Sequence, residues 1–209
     1  SRLSGGKTYR NVWSSLKGIA SCGAYEGVMV YTPIGDHQCS LLGAGLQPNE
    51  LSINLGTGGQ VSVIGGKDRP YFHGDLACVT HLPSGRALAA LAKLLGRSQN
   101  FLEVEAYNVG PTKIAAHTAY YPGPCGSSGS FSNITEAEMT PGHFYRAALC
   151  SIAVQVENCV SRLPSFEAIR FSGGTLARSR LLREFLANTF WQKIIWNEER
   201  AGVESLYGL

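Results

Sequence analysis

Three short segments carry residue types able to handle a phosphate or move a proton. Asp36 follows Gly35 at the end of an apolar run, Val28-Met29-Val30-Tyr31. A carboxylate there can cap a helix or turn, or, at a cleft, accept the proton of an attacking hydroxyl. Gly56-Thr57-Gly58-Gly59 gathers glycine amides and one hydroxyl at a single turn. That composition suits a phosphate clamp and equally a plain hairpin turn. Ser172-Gly173-Gly174-Thr175 stands before a helical stretch, where paired glycines let a ligand lie against backbone or simply form a turn. Other chemistries are excluded. Ser4-Gly5-Gly6-Lys7-Thr8 mimics the end of a P-loop, but the glycine that should lead it falls at Ser1, with no strand before it. Gly-x-Ser-x-Gly does not occur, and the five histidines include no i, i+4 pair, which removes a serine hydrolase elbow and a helical zinc site.

The elements that must position these segments follow from periodicity. Val28 to Tyr31 reads as a buried strand running into the turn at Pro33-Ile34-Gly35-Asp36, and residues 37–46 as a tightly packed helix ended by Pro48. Leu51, Ile53 and Leu55 alternate with Ser52 and Asn54, and Val61 and Val63 with Gln60 and Ser62, so two strands flank the first glycine turn as a β-hairpin. Ser84 is placed to cap a helix with Leu88, Leu91, Ala92 and Leu95 inward and Gly96 at its end. Residues 118–134, rich in Pro, Gly and Ser, read as a long ordered loop. Thr140-Pro141 starts a long helix with Leu149, Ile152, Val156, Val160 and Leu163 at helical spacing. Ile169 and Phe171 form a strand before the second glycine turn. A helix with Leu182, Phe185, Leu186 and Phe190 on one face follows, and then a strand at Lys193-Ile194-Ile195-Trp196. That is a parallel βαβ unit with its glycine turn at the carboxyl end of a strand, the edge where open α/β sheets bind ligands.

Composition narrows the class further. Across 209 residues, 44% are hydrophobic and 16% charged, as in a globular α/β enzyme and unlike a disordered chain. The net charge of +3 comes from basic residues spread along the chain, so nothing calls for a nucleic-acid partner. Six cysteines without a Cys-x-x-Cys pair read as reduced thiols of a cytoplasmic protein, and no long apolar run suggests a membrane. Pro48-Asn49 is the expected boundary between the aspartate segment and the rest, and the chain ends at Leu209 as if cut inside an element.

Taken in order, these segments resemble the FGGY family of carbohydrate kinases. Gly35-Asp36-His37-Gln38-Cys39-Ser40 is similar to the family's Gly-Asp-x-x-Ala motif, which implies that Asp36 is the catalytic base and that His37 touches the sugar. Leu55-Gly56-Thr57-Gly58 resembles the family's phosphate-binding hairpin, and Ser128-Gly129 its Arg-Gly element, with serine in place of arginine. Phe171 to Ser179 looks like the adenosine motif, which implies that Gly174 backs the adenine, that Gly173 and Gly174 seat the nucleoside and that Arg178 stands near the base; Glu204 to Gly208 is similar to the helix start that follows. The resemblance implies an actin-like, ribonuclease-H-like ATPase lobe with a mixed sheet and flanking helices. Residues 1–48 would be the remnant of an amino-terminal lobe and 49–209 the carboxyl-terminal, ATP-binding one. It further implies ATP and Mg²⁺ as cofactors, a sugar as acceptor, a homo-oligomer as one assembly, and a sedoheptulokinase-like subfamily. The family's opening Asp-x-Gly-Thr strand has no counterpart here, so the chain alone is expected to be inert. A non-catalytic nucleotide-binding or scaffolding module is the alternative.

Overall fold

A computed structural model describes residues 21–26, 28–31, 36–64 and 76–207. The P-loop mimic at 4–8, Gly35 of the aspartate motif and Gly208 lie outside the described residues.

The first described elements are a two-stranded antiparallel sheet, β1 (Ser21–Tyr25) with β2 (Val28–Tyr31), and helix α1 (Asp36–Gly43). The alternating segments form β3 (Glu50–Leu55) and β4 (Gly59–Ile64), paired antiparallel so that Leu51 faces Val63 and Ile53 faces Val61. These two sit inside a five-stranded sheet of order β5-β4-β3-β8-β9, with β5 (Leu76–Leu82), β8 (Ala168–Ser172) and β9 (Lys193–Trp196). β8 is parallel to both β3 and β9, whereas β4 is antiparallel to both β3 and β5, which makes the sheet mixed.

Because side chains alternate along strands, the sheet has two unlike faces. One carries Leu51, Ile53, Leu55, Val61, Val63, Ile169 and Phe171 into the main core. Helices α2 (Gly85–Leu94), α3 (Gln99–Asn108) and α4 (Pro141–Val160) cover it, together with α5 (Gly174–Arg178) and α6 (Arg180–Thr189). Thr140 caps α4 by accepting the His143 N–H, and Pro141 stands at its first turn, where a missing N–H costs nothing. Between α3 and α4 runs the loop, closed by the short ladder β6 (Ala115–His117) with β7 (Ser130–Ser132).

The other face presents Ser52, Asn54, Gln60, Ser62, Arg170 and Ser172, and α1 lies over it. Leu41, Leu46 and Ile64 form a small second core there, with Leu76 packed against it, and α1 touches the short α7 (Glu204–Tyr207). Arg170 ties the layers together. Its guanidinium donates to both carboxylate oxygens of Glu50 at 2.9 and 3.1 Å and to the Ala44 carbonyl at 3.0 Å.

Two expectations change. The stretch after Gly173 is two helices, broken where Ser179 takes an extended conformation. Its hydroxyl caps α6 by accepting the Leu182 N–H and donates to Glu103 at 2.6 Å. The apolar spacing from Leu182 onward therefore marks only the second helix, whose start is fixed by Ser179. Residues 97–109, unassigned from sequence, contain α3, capped by Ser98.

Candidate nucleotide-binding site

The two glycine turns meet. β3 and β8 are adjacent and parallel, with Asn54 beside Ser172, so Gly56 and Gly173 emerge side by side at their carboxyl ends. From β3 the sheet continues through β4 to one side, and from β8 through β9 to the other. Connections that diverge in this way leave a crevice at the strand ends.

The carbonyl of Gly56 is the node of the crevice. It accepts from the Gly85 N–H at 3.0 Å, the Ser84 hydroxyl at 3.0 Å and the Thr175 hydroxyl at 2.7 Å. The Thr57 carbonyl accepts from the Arg86 N–H at 2.8 Å. In a trans peptide the C=O and the following N–H point in opposite directions. Anchoring the carbonyls of Gly56 and Thr57 inward therefore turns the N–H groups of Thr57 and Gly58 outward. Both residues are exposed, and neither amide is bonded among the described residues. Two successive free amides directed at solvent form a small anion-binding concavity.

Gly173 holds the second turn against the first. Its φ of 97° lies in the region that glycine tolerates, and a Cβ there would stand 2.6 Å from the Leu55 carbonyl. Its N–H donates to the buried carboxylate of Glu204 at 3.0 Å. At Gly174 a Cβ would meet only the exposed Arg178 guanidinium, at 3.4 Å, while a Cβ at Gly202 would stand 3.2 Å from the Gly174 Cα on another side. Beside it a narrow cleft is lined by Leu88, Gln99, Glu103, Tyr145, Thr175 and Arg178. Burial raises the pKa of Glu103 above the usual carboxylate value, opposed by the Ser179 hydroxyl, and burial also raises that of Tyr145.

Asp36 opens α1 and is exposed. The helix lies across the polar face, from β4 toward β8. Its tail at Ala44 meets Arg170, which sits beside Ser52 and pairs with Glu50 at the start of β3. His37 at its head reaches Ser62, with 3.1 Å between Nε2 and Oγ. Ser62 and Arg170 both pair with Ser52, so the two ends of the helix stand at one level along the strands, and Asp36 opens a helix laid across the polar face. Burial lowers the His37 pKa against the opposing pull of Gln60 and Asp36, which leaves the imidazole neutral at pH 7. Four buried polar atoms on this face, Ser52 Oγ, Ser172 Oγ, His37 Nδ1 and Gln60 Oε1, have no hydrogen-bond partner among the described residues.

Gly129 stands elsewhere. A Cβ on it would strike the Tyr120 ring, and it lines a separate hollow with Ala90, Leu91 and Leu94, further along α2 from Gly85. Among the described residues no three His, Cys, Asp or Glu side chains gather as a metal site. Sequence reasoning missed Ser84, Gly85, Thr175 and Glu204, which clamp the turns. Ser84 was legible as a cap, but its hydroxyl bonds the Gly56 carbonyl instead of its own helix. A Cβ at Gly85 would lie 2.7 Å from that same carbonyl.

No family model matches the chain, and no curated protein does. Solved structures do. Xylulose kinase from Lactobacillus acidophilus superposes with a TM-score of 0.70 at 18% identity, covering 89% of this chain and 42% of the kinase. Xylulose kinase from Rhodospirillum rubrum gives 0.63 at 23%, covering 88% and 42%. Plasmodium falciparum glycerol kinase, solved with ADP, gives 0.64 at 17%, covering 91% and 45%. The chain has the actin-like ATPase fold of these sugar kinases and spans less than half their length.

Proposed function

We propose that this chain is the ATP-binding lobe of a carbohydrate kinase, which transfers the γ-phosphoryl group of ATP to a sugar hydroxyl once the sugar-binding half is present. The observation that carries the reading is the Gly56 carbonyl, bonded by both the α2 start and Thr175, which leaves the Thr57 and Gly58 amides free beside the Gly173-Gly174 turn. That cradle suits a nucleotide: free amides for phosphate oxygens, the glycine turn beside Arg178 for the base. It also agrees with the fold shared with an ADP-bound glycerol kinase.

In this reading residues 1–48 end the sugar-binding lobe, 49–209 bind the nucleotide, and α1 lies at the seam. Asp36, exposed at that seam, accepts the proton of the attacking hydroxyl, a role typically worth about 10²–10⁴-fold in rate. Thr57 and Gly58 hold the phosphates in line, Gly173, Gly174 and Arg178 seat the nucleoside, and His37 faces the sugar. Gly129 contributes from the loop side if that loop closes over the nucleotide. Mg²⁺ would arrive with the nucleotide and supply charge neutralisation across the phosphates; a phosphate-bound Mg²⁺ needs only one or two protein carboxylates. The acceptor is sedoheptulose or a related ketose or polyol.

The chain alone binds ATP and turns over no sugar. Joined to the missing half, it forms ADP in a sugar-dependent way, fastest with sedoheptulose in a panel containing xylulose, gluconate and glycerol, and Asp36→Asn abolishes turnover while ATP binding survives. Turnover unchanged in Asp36→Asn would remove the aspartate from the mechanism. Nucleotide binding by the joined protein without turnover of any sugar would favour a binding or scaffolding module.

A further inference from the structure

A cavity of about 460 Å³ opens between α4 and the segment around β6, lined by none of the residues of the nucleotide crevice. Its lining is mostly apolar or thiol: Ile114, Ala116, Ala147 and Val154, with Cys125 and Cys159 whose sulfurs are 4.0 Å apart. Burial pushes the Cys125 thiol up to about 12, so it stays uncharged and adds apolar surface.

Two polar features interrupt this lining. Gln155 is 6% exposed, and its Nε2 donates to the Ser151 hydroxyl at 2.8 Å and the Thr118 hydroxyl at 3.2 Å. Its Oε1 is buried and has no hydrogen-bond partner among the described residues. A buried acceptor left unpaired is costly, and few are kept without a use. Arg162 lies seven residues further, in the turn just past the end of α4, at the exposed rim, and makes no ion pair among the described residues. An apolar pocket of this size with one buried acceptor and one cation at its mouth has the form of a small-molecule site.

We infer that this cavity binds a small carboxylic acid with an apolar body and one N–H donor, the N–H bonded to Gln155 Oε1 and the carboxylate to Arg162. The site is independent of nucleotide, because no residue is shared with the glycine turns.

N-acetyl-L-leucine, which carries all three features, is the probe. Titrated to millimolar concentration into the ¹⁵N-labelled chain, it shifts the amides of Ala116, Ser151, Gln155 and Cys159 and leaves Thr57 and Gly174 in place. N-acetyl-L-leucinamide, lacking the carboxylate, binds the wild-type chain about three- to fivefold more weakly, and Arg162→Ala weakens the acid by the same factor. Gln155→Met, close in length, weakens it about three- to tenfold. The inference is overturned if the cavity amides do not move, or if acid and amide bind alike and Arg162→Ala changes neither. A water held by Gln155 in place of a ligand gives the first result, or leaves Gln155→Met binding the acid as tightly as wild type, and either overturns the inference.

Discussion

Gly173→Ala tests the joint between the two turns at a single atom. The native conformation, φ 97° and ψ 148°, lies in a region essentially restricted to glycine, where an L-residue costs about 1–3 kcal/mol. The added methyl would also sit 2.6 Å from the Leu55 carbonyl carbon and oxygen and 2.8 Å from Asn54 Oδ1. Two of those three atoms are backbone of β3 and cannot swing aside, so overpacking adds about 1–3 kcal/mol. The combined loss of about 4 kcal/mol is a large part of the 5–15 kcal/mol that holds a domain folded. For a chain of this size it lowers Tm by about 8–16 °C. Urea unfolding followed by far-UV circular dichroism measures the loss, with Gly58→Ala as the control. A Cβ at Gly58 meets nothing within 4 Å, so that variant stays within about 0.5 kcal/mol of wild type. Equal stability of the two variants would refute the packing of Gly173 against the end of β3.

Other variants test the neighbouring supports. Glu204→Ala leaves the buried Gly173 N–H unpaired and costs about 1–3 kcal/mol in the same melts, whereas Glu204→Gln keeps an acceptor and recovers most of it. His37 has a folded pKa below its ordinary 6.5, so the unfolded chain takes up its proton first. Its stability contribution is therefore complete above pH 6.5 and is lost as the pH falls toward the depressed value; in a pH series of melts, His37→Gln flattens that part of the curve. Glu103 is raised by burial, the opposite sign, so its ionisation weakens the fold as pH rises through the folded pKa. Glu103→Gln keeps an acceptor for Ser179, so it gains stability relative to wild type at pH 7 and loses that advantage near pH 4.

The parts of the fold legible in the sequence are those whose pattern is local. The hairpin of β3 and β4 shows as strict alternation because one face meets the core and the other is polar. The long α4 shows because Leu149, Ile152 and Val156 all turn into the core. β5 does not show, since residues 76–80 are all half-buried and carry no contrast between faces. α3 is hidden for the converse reason: it buries only Leu102 and Ala106 and leaves Phe101, Val104 and Tyr107 exposed. At the site, the glycines announce themselves by type. Their clamps do not, because Gly56 meets Thr175 across 119 positions and Gly173 meets Glu204 across 31. Gly129, chosen from its place before the long helix, is packed under Tyr120 by the fold of its own loop.

The reading depends above all on the outward amides of Thr57 and Gly58 and the Gly173-Gly174 turn serving one nucleotide. Amide chemical shifts of the ¹⁵N-labelled chain, recorded as MgATP is added, measure this directly. Both sets of resonances should move together along one saturation curve, and inorganic triphosphate should shift only the Thr57–Gly58 set. Movement of one set without the other under MgATP, or of neither, would contradict a shared nucleotide site.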